Sequence, residues 1–213
     1  MRSFRTEGII IKRRNFNDAD RIITVITRDY GKLQIKATGV RKITSRRAAH
    51  VELLNHTIVH LYQGKTFTLL TEAKMLDDFS LIKQDFNKVG LAYHLCELID
   101  GLCPENQENR NVFFLLQKTL TELSQESEAY IPQYATAEID DYTLGTFGLG
   151  ISDAPQTTRN KSELMQNFEI SLLTELGYWN RNNSLERNFD THDMIETILE
   201  RKLKSRSIFA KLQ

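Results

Sequence analysis

The chain has 213 residues, 40% of them hydrophobic, with 3 prolines and a formal net charge of zero. That length suits one large domain or two small ones, and that composition excludes a disordered chain. No stretch is long and apolar enough to span a membrane.

The neutral total hides a polarity. Residues 1–74 hold 15 Lys+Arg against 6 Asp+Glu, a net +9, and residues 75–213 hold 13 against 22, a net −9. A basic first third on an acidic remainder is the charge pattern of a polyanion-binding module on an acidic scaffold, and a solvated basic surface is the plainer alternative.

Residues 4–14 read as a strand, an Ile9-Ile10-Ile11 triplet between polar flanks, in which Gly8 suggests a bulge or tight bend. Lys12-Arg13-Arg14 cuts the triplet short of a signal-peptide core. Residues 15–20 are a turn by composition, and Arg21 to Arg28 is a second strand rich in β-branched residues. Asp29-Tyr30-Gly31-Lys32 is a hairpin turn, with Gly where a positive φ is wanted. Leu33, Ile35 and Ala37 alternate with polar residues in a third, half-buried strand.

A loop follows. Of the twelve residues from Lys36 to Arg47 five are basic, Lys36, Arg41, Lys42, Arg46 and Arg47, and none is acidic. Such a loop cannot bury its own charge, so it meets an anionic partner or water. Leu53 to Tyr62 and Thr66 to Ala73 read as strands four and five, joined at Gln63-Gly64. Five short antiparallel strands in this span match an OB-type barrel, a fold that commonly binds oligonucleotides. A small SH3-like barrel fits the same periodicity.

At Asp77-Asp78 the period changes to that of helices. Phe86, Val89, Tyr93, Cys96, Ile99 and Cys103 mark an inward face for a helix over 84–103, stopped by Pro104. Val112, Phe113, Leu116, Leu120 and Leu123 mark a second, starting near Asn109. Residues 134–147 read as helix and 150–161 as loop. Leu164 to Leu176 is a helix capped by Gly177, and Thr191 begins the last, with Met194, Ile195, Ile198, Leu199 and Leu203 inward. The expected architecture is thus α+β: a five-stranded OB-fold barrel over 1–77 and an all-α domain over 78–213.

Seven helical residues separate Cys96 from Cys103, about 10 Å along the axis, too far for a disulfide. Buried free thiols are expected, which fits a reducing, cytoplasmic setting. No catalytic constellation stands out. His56 and His60, four apart in a strand, lie about 13 Å from each other. His192 and Glu196 read as a solvated i,i+4 pair on a helix. Asp77-Asp78 and Asp140-Asp141 sit at helix starts or on solvated faces. Nucleophile-elbow, phosphate-loop and zinc-spacing motifs are missing. The expectation is a protein without catalysis, metal or cofactor.

The cations carry the positive expectation. Lys12, Arg13 and Arg14 end the first strand, Arg21 begins the second, and Lys36, Arg41, Lys42, Arg46 and Arg47 follow from the third, so a barrel can gather them for phosphate. Phe16 and Tyr30, in turns, are candidates to stack bases, whereas strand alternation assigns Phe4 and Phe67 to the core. The closing cluster Arg201, Lys202, Lys204, Arg206 and Lys211 reads either as helix-dipole stabilisation or as an added anion site.

Three motifs, in order along the chain, resemble the RecO family of bacterial recombination mediators. They are Glu7 to Arg14 with Asp18 to Thr27, Gly31-Lys32 and Lys36 to Lys42; Phe168 to Tyr178; and Glu200 to Arg206, which is similar to the family's C-terminal helix. The resemblance implies an OB-fold head on a helical body without enzymatic turnover. It implies binding of single- and double-stranded DNA and annealing of complementary strands, in the cytoplasm at the nucleoid. As partners it implies RecR and the C-terminal tail of single-strand binding protein, and through them RecA, which such proteins help onto coated DNA. A tail pocket needs apolar walls and a cation, for which Arg110 and Lys118 beside Phe113 and Phe114 are candidates. Many members carry a four-cysteine zinc site after the Leu-Gly-Tyr segment, where this chain has Trp179 to Ser184 and no cysteine. An RNA-binding OB module and a protein–protein scaffold are the competing readings of the residues.

Overall fold

The computed structural model describes residues 3–125, 156–179 and 191–205, with side chains for all but 156–160. Five strands come first: β1 (Ser3–Phe16), β2 (Asp20–Thr27), β3 (Gly31–Ala37), β4 (His56–Gln63) and β5 (Thr68–Asp77). They close into a barrel in the order β1-β2-β3-β5-β4. Long β1 pairs antiparallel with both β2 and β4, and the ring closes where β3 runs parallel to β5 at Ile35↔Thr68 and Lys36↔Leu69. This is the Greek-key OB arrangement, followed by helices as the sequence predicts.

The Ile triplet shows why the barrel and the helices pack as they do. Ile10 points inward with Ile23, Val25, Ile35, Val59 and Leu61. Ile9 and Ile11 point outward, yet are buried with Ile26 and Leu54 under the helices. A strand covered on both faces loses its polar alternation, which is how three consecutive isoleucines are tolerated. Each contributes about 1.5–3 kcal/mol by burial.

Gly8 does not mark the bulge. It pairs regularly with Thr27 and Thr57, and the register shift falls between Ile10 and Lys12. A Cβ on Gly8 would meet Val25 Cγ1 at 2.5 Å, so close approach explains the residue. Beyond the barrel lie α1 (Ser80–Gln84), α2 (Phe86–Leu102), α3 (Arg110–Gln125), α4 (Gln156–Glu175) and α5 (Thr191–Leu199). Asp85 caps α2 by accepting the N–H groups of Asn87 and Lys88, and Asn109 caps α3 by accepting that of Val112. Past α4, Gly177 takes φ +79° while Tyr178 N donates to Leu173 O and Gly177 N to Thr174 O, a Schellman cap.

Several expectations need correction. Phe86 and Tyr93 are exposed, because the buried side of α2 runs instead through Ala92, Leu95, Cys96, Leu98, Ile99 and Leu102. This helix is sandwiched between barrel and helices, so more than one stripe is covered. Helix α4 begins at Gln156, inside the stretch expected to be loop. Helix α5 ends at Leu199, Glu200 turns with φ +52°, and 201–204 is not helical, so this part of the segment expected as a C-terminal helix is a connection, with Ser205 helical again. The helix expected over 134–147 lies outside the described residues.

A polar seam fixes the helices on the barrel. Lys32 Nζ donates to Asp100 O at 2.5 Å, and Asn106 N donates to Lys32 O at 2.9 Å. Gly31 has φ +66° and faces Gln107, whose carbonyl oxygen would lie 1.7 Å from any Cβ.

Candidate nucleic-acid interface

Strand register gathers three connections at one end of the barrel. Phe16 pairs with Asp20 across the β1–β2 turn, Arg21 with Ala37 where the basic loop leaves β3, and Gln63 with Thr68 across the β4–β5 turn. Phe16 and Phe67 meet there edge to face, with ring centroids 6.0 Å apart. Lys36 Nζ lies 5.0 Å from the Phe16 centroid and Arg14 Cζ 6.0 Å from it, within cation–π range. Both rings are half-buried, so each packs on the barrel and keeps surface toward solvent.

The basic loop is tied down at its base. Asp20 accepts the Gly39 N–H at 2.8 Å and pairs with Lys36 at 3.1 Å. The Gly39 N–H, then Lys36, hold the Asp20 carboxyl below the usual range against the opposing effect of burial. Arg41 N donates to Ala19 O, and the Arg41 guanidinium to Asn17 O at 3.2 Å. Arg47 reaches Leu70 O at 2.7 Å and Thr38 O at 2.8 Å, clamping the loop to β5. A chain of turns then carries Arg41, Lys42, Ile43, Thr44 and Arg46 into solvent.

The nine cations divide by what they touch. Lys12 pairs with Asp100 at 2.6 Å, Arg13 and Arg21 share Glu52, and Lys36 pairs with Asp20. Arg47 is spent on backbone carbonyls. Arg14, Arg41, Lys42 and Arg46 are exposed and make no ion pair among the described residues. Of these, Arg14 lies with Lys36 over Phe16 and Arg41 reaches the adjacent Asn17, while Lys42 and Arg46 continue the charge along the exposed loop. The convergence registers at Arg21, whose pKa is pushed down by burial and then by Arg13 and Arg41.

Tyr30 is not part of this end. It packs on Phe4 at 4.6 Å, at the far end of β2, about 25 Å away along eight residues of strand. Phe67, assigned by alternation to the core, stands beside Phe16. Its signal was its place in a hairpin turn of the same barrel.

The second cluster is also divided. Phe113 is fully buried and Phe114 is 50% exposed. Arg110, Phe114 and Lys118 run up one face of α3, but Arg110 pairs with Asp29 and Glu108, and Lys118 with Glu122. Arg201 pairs with Glu97 at 3.0 Å, Lys202 is exposed, and Arg206 lies outside the described residues. A cleft of about 610 Å³ joins Arg201 and Lys204 to Lys12 and Arg13 across apolar Leu53 and Tyr93. Cys96 and Cys103 are free and buried, which pushes their thiols up to about 12 and about 11. A four-cysteine metal site cannot be assembled from two such residues. Sequence reading also missed His94 and Glu169 and placed His192 with Glu196 on a solvated face, whereas the three meet from three helices with no short spacing to betray them.

Comparison with known proteins bears on this arrangement. Residues 1–79 match the family model described as "Recombination protein O N terminal" and residues 83–151 the one described as "Recombination protein O C terminal". A curated relative, "DNA repair protein RecO" of Roseiflexus sp. (strain RS-1), is 37% identical over 153 residues, 72% of this chain and 50% of the relative. The protein of the same name from Symbiobacterium thermophilum is 33% identical over 120 residues, 56% of this chain and 47% of the relative. That of Listeria welshimeri is 30% identical over 143 residues, 67% and 55% respectively. The chain spans about half the length of the curated relatives it matches.

Proposed function

Because the chain belongs to the RecO family, we propose that it is a DNA repair and recombination mediator, with 1–77 as its DNA-binding head and 78–213 as its helical body. The observation that carries this reading is the barrel end where Arg14 and Lys36 lie over Phe16 beside Phe67 and where the exposed loop brings Arg41, Lys42 and Arg46. Phosphate neutralisation by these cations and base stacking on the rings are the two contributions that hold single strands on OB folds. The exposed loop adds cations that engage a second strand or a duplex backbone. Neither contribution reads base edges, so binding is salt-sensitive and weakly selective for sequence.

Annealing follows from the same chemistry. Two complementary strands repel through their phosphates, and a surface that neutralises both raises their encounter rate without turning over a bond. The protein therefore acts without catalysis. As a mediator it displaces single-strand binding protein by engaging its acidic, apolar tail, works with RecR, and so helps RecA onto the exposed strand. Two places are candidates for such a tail: the cleft between β1 and the 201–204 connection, where Lys12, Arg13, Arg201 and Lys204 stand around Leu53 and Tyr93, and the face of α3 with exposed Phe114 between Arg110 and Lys118. No helix among the described residues is long and apolar enough to cross a membrane, and the proposed site of action is the cytoplasm, at the nucleoid.

Three measurements test this. Oligonucleotide affinity should fall along a straight log–log line with salt, its slope counting neutralised phosphates. Complementary strands coated with their binding protein should anneal faster with the purified chain, and unchanged annealing would sink the mediator reading. Tighter binding to RNA than to DNA of the same sequence would redirect it to RNA.

A further inference from the structure

Away from the barrel, helices α2, α4 and α5 bring His94, Glu169 and His192 together, each offering a ligand atom within 4.8 Å of the others. His94 and Glu169 are each 1% exposed. Glu169 Oε1 lies 2.8 Å from His94 Nε2 and 3.6 Å from His192 Nδ1. Ligands of a tetrahedral ion at 2.0–2.1 Å sit about 3.3–3.4 Å apart. The two distances bracket that value, so small side-chain shifts suffice to admit an ion.

The atoms behind these are held as metal ligands usually are. His94 Nδ1 is 2.8 Å from Ser205 Oγ, which leaves Nε2 facing the cluster. The Thr191 hydroxyl donates to Glu169 Oε2, which leaves Oε1 aimed at the two rings. Such outer hydrogen bonds fix ring orientation and carboxylate direction at metal centres. The His192 side chain is 44% exposed, which provides an entry path and an open coordination position.

We propose that His94, Glu169 and His192 bind a divalent transition-metal ion of the zinc type, with water in the fourth position. The donor set fits that class: two borderline imidazoles and one carboxylate, without the oxygen-rich shell calcium or magnesium needs. When the ion binds, the imidazole proton of His94 is carried on Nδ1, where Ser205 Oγ accepts it, and Nε2 becomes the ligand. The site is distinct from any four-cysteine centre and from the barrel surface, so it stands independently of the DNA reading. Its effect is to cross-link α2, α4 and α5 and to hold the segment that carries Ser205.

The test uses the full chain, stripped with a chelator and titrated with Co2+ as an optical probe. The expected result is one equivalent bound, with a visible d–d band that one equivalent of Zn2+ abolishes, and a higher melting temperature. His192→Ala, at a half-exposed position, should abolish the band while leaving the circular dichroism unchanged. Ser205→Ala should weaken binding about 10- to 100-fold. His60→Ala, on the barrel, should change nothing. Absence of stoichiometric binding in the unsubstituted chain, or a band that survives both His192→Ala and Glu169→Gln, would overturn the assignment.

Discussion

The Asp20 carboxylate accepts the Gly39 N–H at 2.8 Å and so anchors the basic loop to the β1–β2 turn. The same carboxylate neutralises Lys36 at 3.1 Å, beside Phe16. One acid thus positions the loop and restrains one of its cations. Asp20→Asn keeps an acceptor for Gly39 and releases the charge of Lys36. It should tighten single-strand binding and steepen the log–log salt slope by about 0.7, the increment for one more neutralised phosphate. Asp20→Ala, which loses the anchor as well, should gain less. Fluorescence anisotropy across a salt series separates the two, and a weaker-binding Asp20→Asn would show that Lys36 does not reach phosphate.

Arg46 and Arg47 are neighbours with opposite duties. Arg46 is exposed and makes no ion pair among the described residues, whereas Arg47 bonds to the carbonyls of Leu70 and Thr38. Arg46→Ala should reduce the salt slope by roughly 0.7–0.9 and leave the melting curve in place. Arg47→Ala should cost about 1–3 kcal/mol of stability, from charged hydrogen bonds lost to carbonyls left unsatisfied. Chemical denaturation and binding, measured on both variants, should give this crossed pattern. Equal losses of affinity at unchanged stability would refute it.

Phe16 and Phe67 support each other at 6.0 Å, so each removal strips one stacking surface and loosens the other. Either alanine variant should lose about 1–3 kcal/mol in single-strand affinity. The double variant should lose less than the sum, because the rings are in contact. Duplex affinity should hardly change, since paired bases offer no free face. A Tyr30→Ala variant, changed at the far end of β2, is the control and should bind as the unsubstituted chain does.

The barrel was legible because its signals are local: β-branched runs, Gly31 in a turn, and a loop whose five cations had no acid among them. The same locality set the limit. Sequence placed Lys12, Arg13, Arg21 and Arg47 on the interface, but their partners Asp100, Glu52 and the Leu70 carbonyl come from other elements. Only the fold says which cations are already neutralised. The same holds for α2, where periodicity singled out one stripe through Phe86 and Tyr93. Helices and barrel cover it from two sides, so burial follows tertiary neighbours rather than period. His94, Glu169 and His192 are the extreme case, spread over 99 positions of sequence.

Gly31 joins the barrel to the helical body. Its φ of +66° disfavours any side chain, and a Cβ would overlap the Gln107 carbonyl. Gly31→Ala should therefore destabilise the chain by more than about 2 kcal/mol, combining left-handed strain with displacement of the seam at Lys32 and Asn106. Gly39→Ala is the comparison. Its φ is +67°, but a Cβ would meet nothing closer than 3.8 Å, so only the backbone cost of about 1–2 kcal/mol applies. Urea denaturation of both variants measures the difference, and equal midpoints would show that the seam yields freely.

Glu97 gives the C-terminal connection a pH dependence of calculable sign. Burial alone would raise its pKa, but the N–H groups of Lys204 and Ser205, both at 2.9 Å, and Arg201 at 3.0 Å outweigh that and hold it below the ordinary value. A carboxylate with a depressed folded pKa contributes stability above its unfolded pKa, about 4.3, and loses it as pH falls through the folded value. The connection at 201–205 should thus be fully held at pH 7 and loosen progressively below about pH 4. Protection factors of the Lys204 and Ser205 amides, corrected for intrinsic exchange, should drop over that interval while those of Val25 and Ile35 in the barrel persist. In Glu97→Ala the two amides should already be unprotected at pH 7, with no further change on acidification. Protection that stays constant from pH 7 to pH 3 in the unsubstituted chain would remove Glu97 from this role.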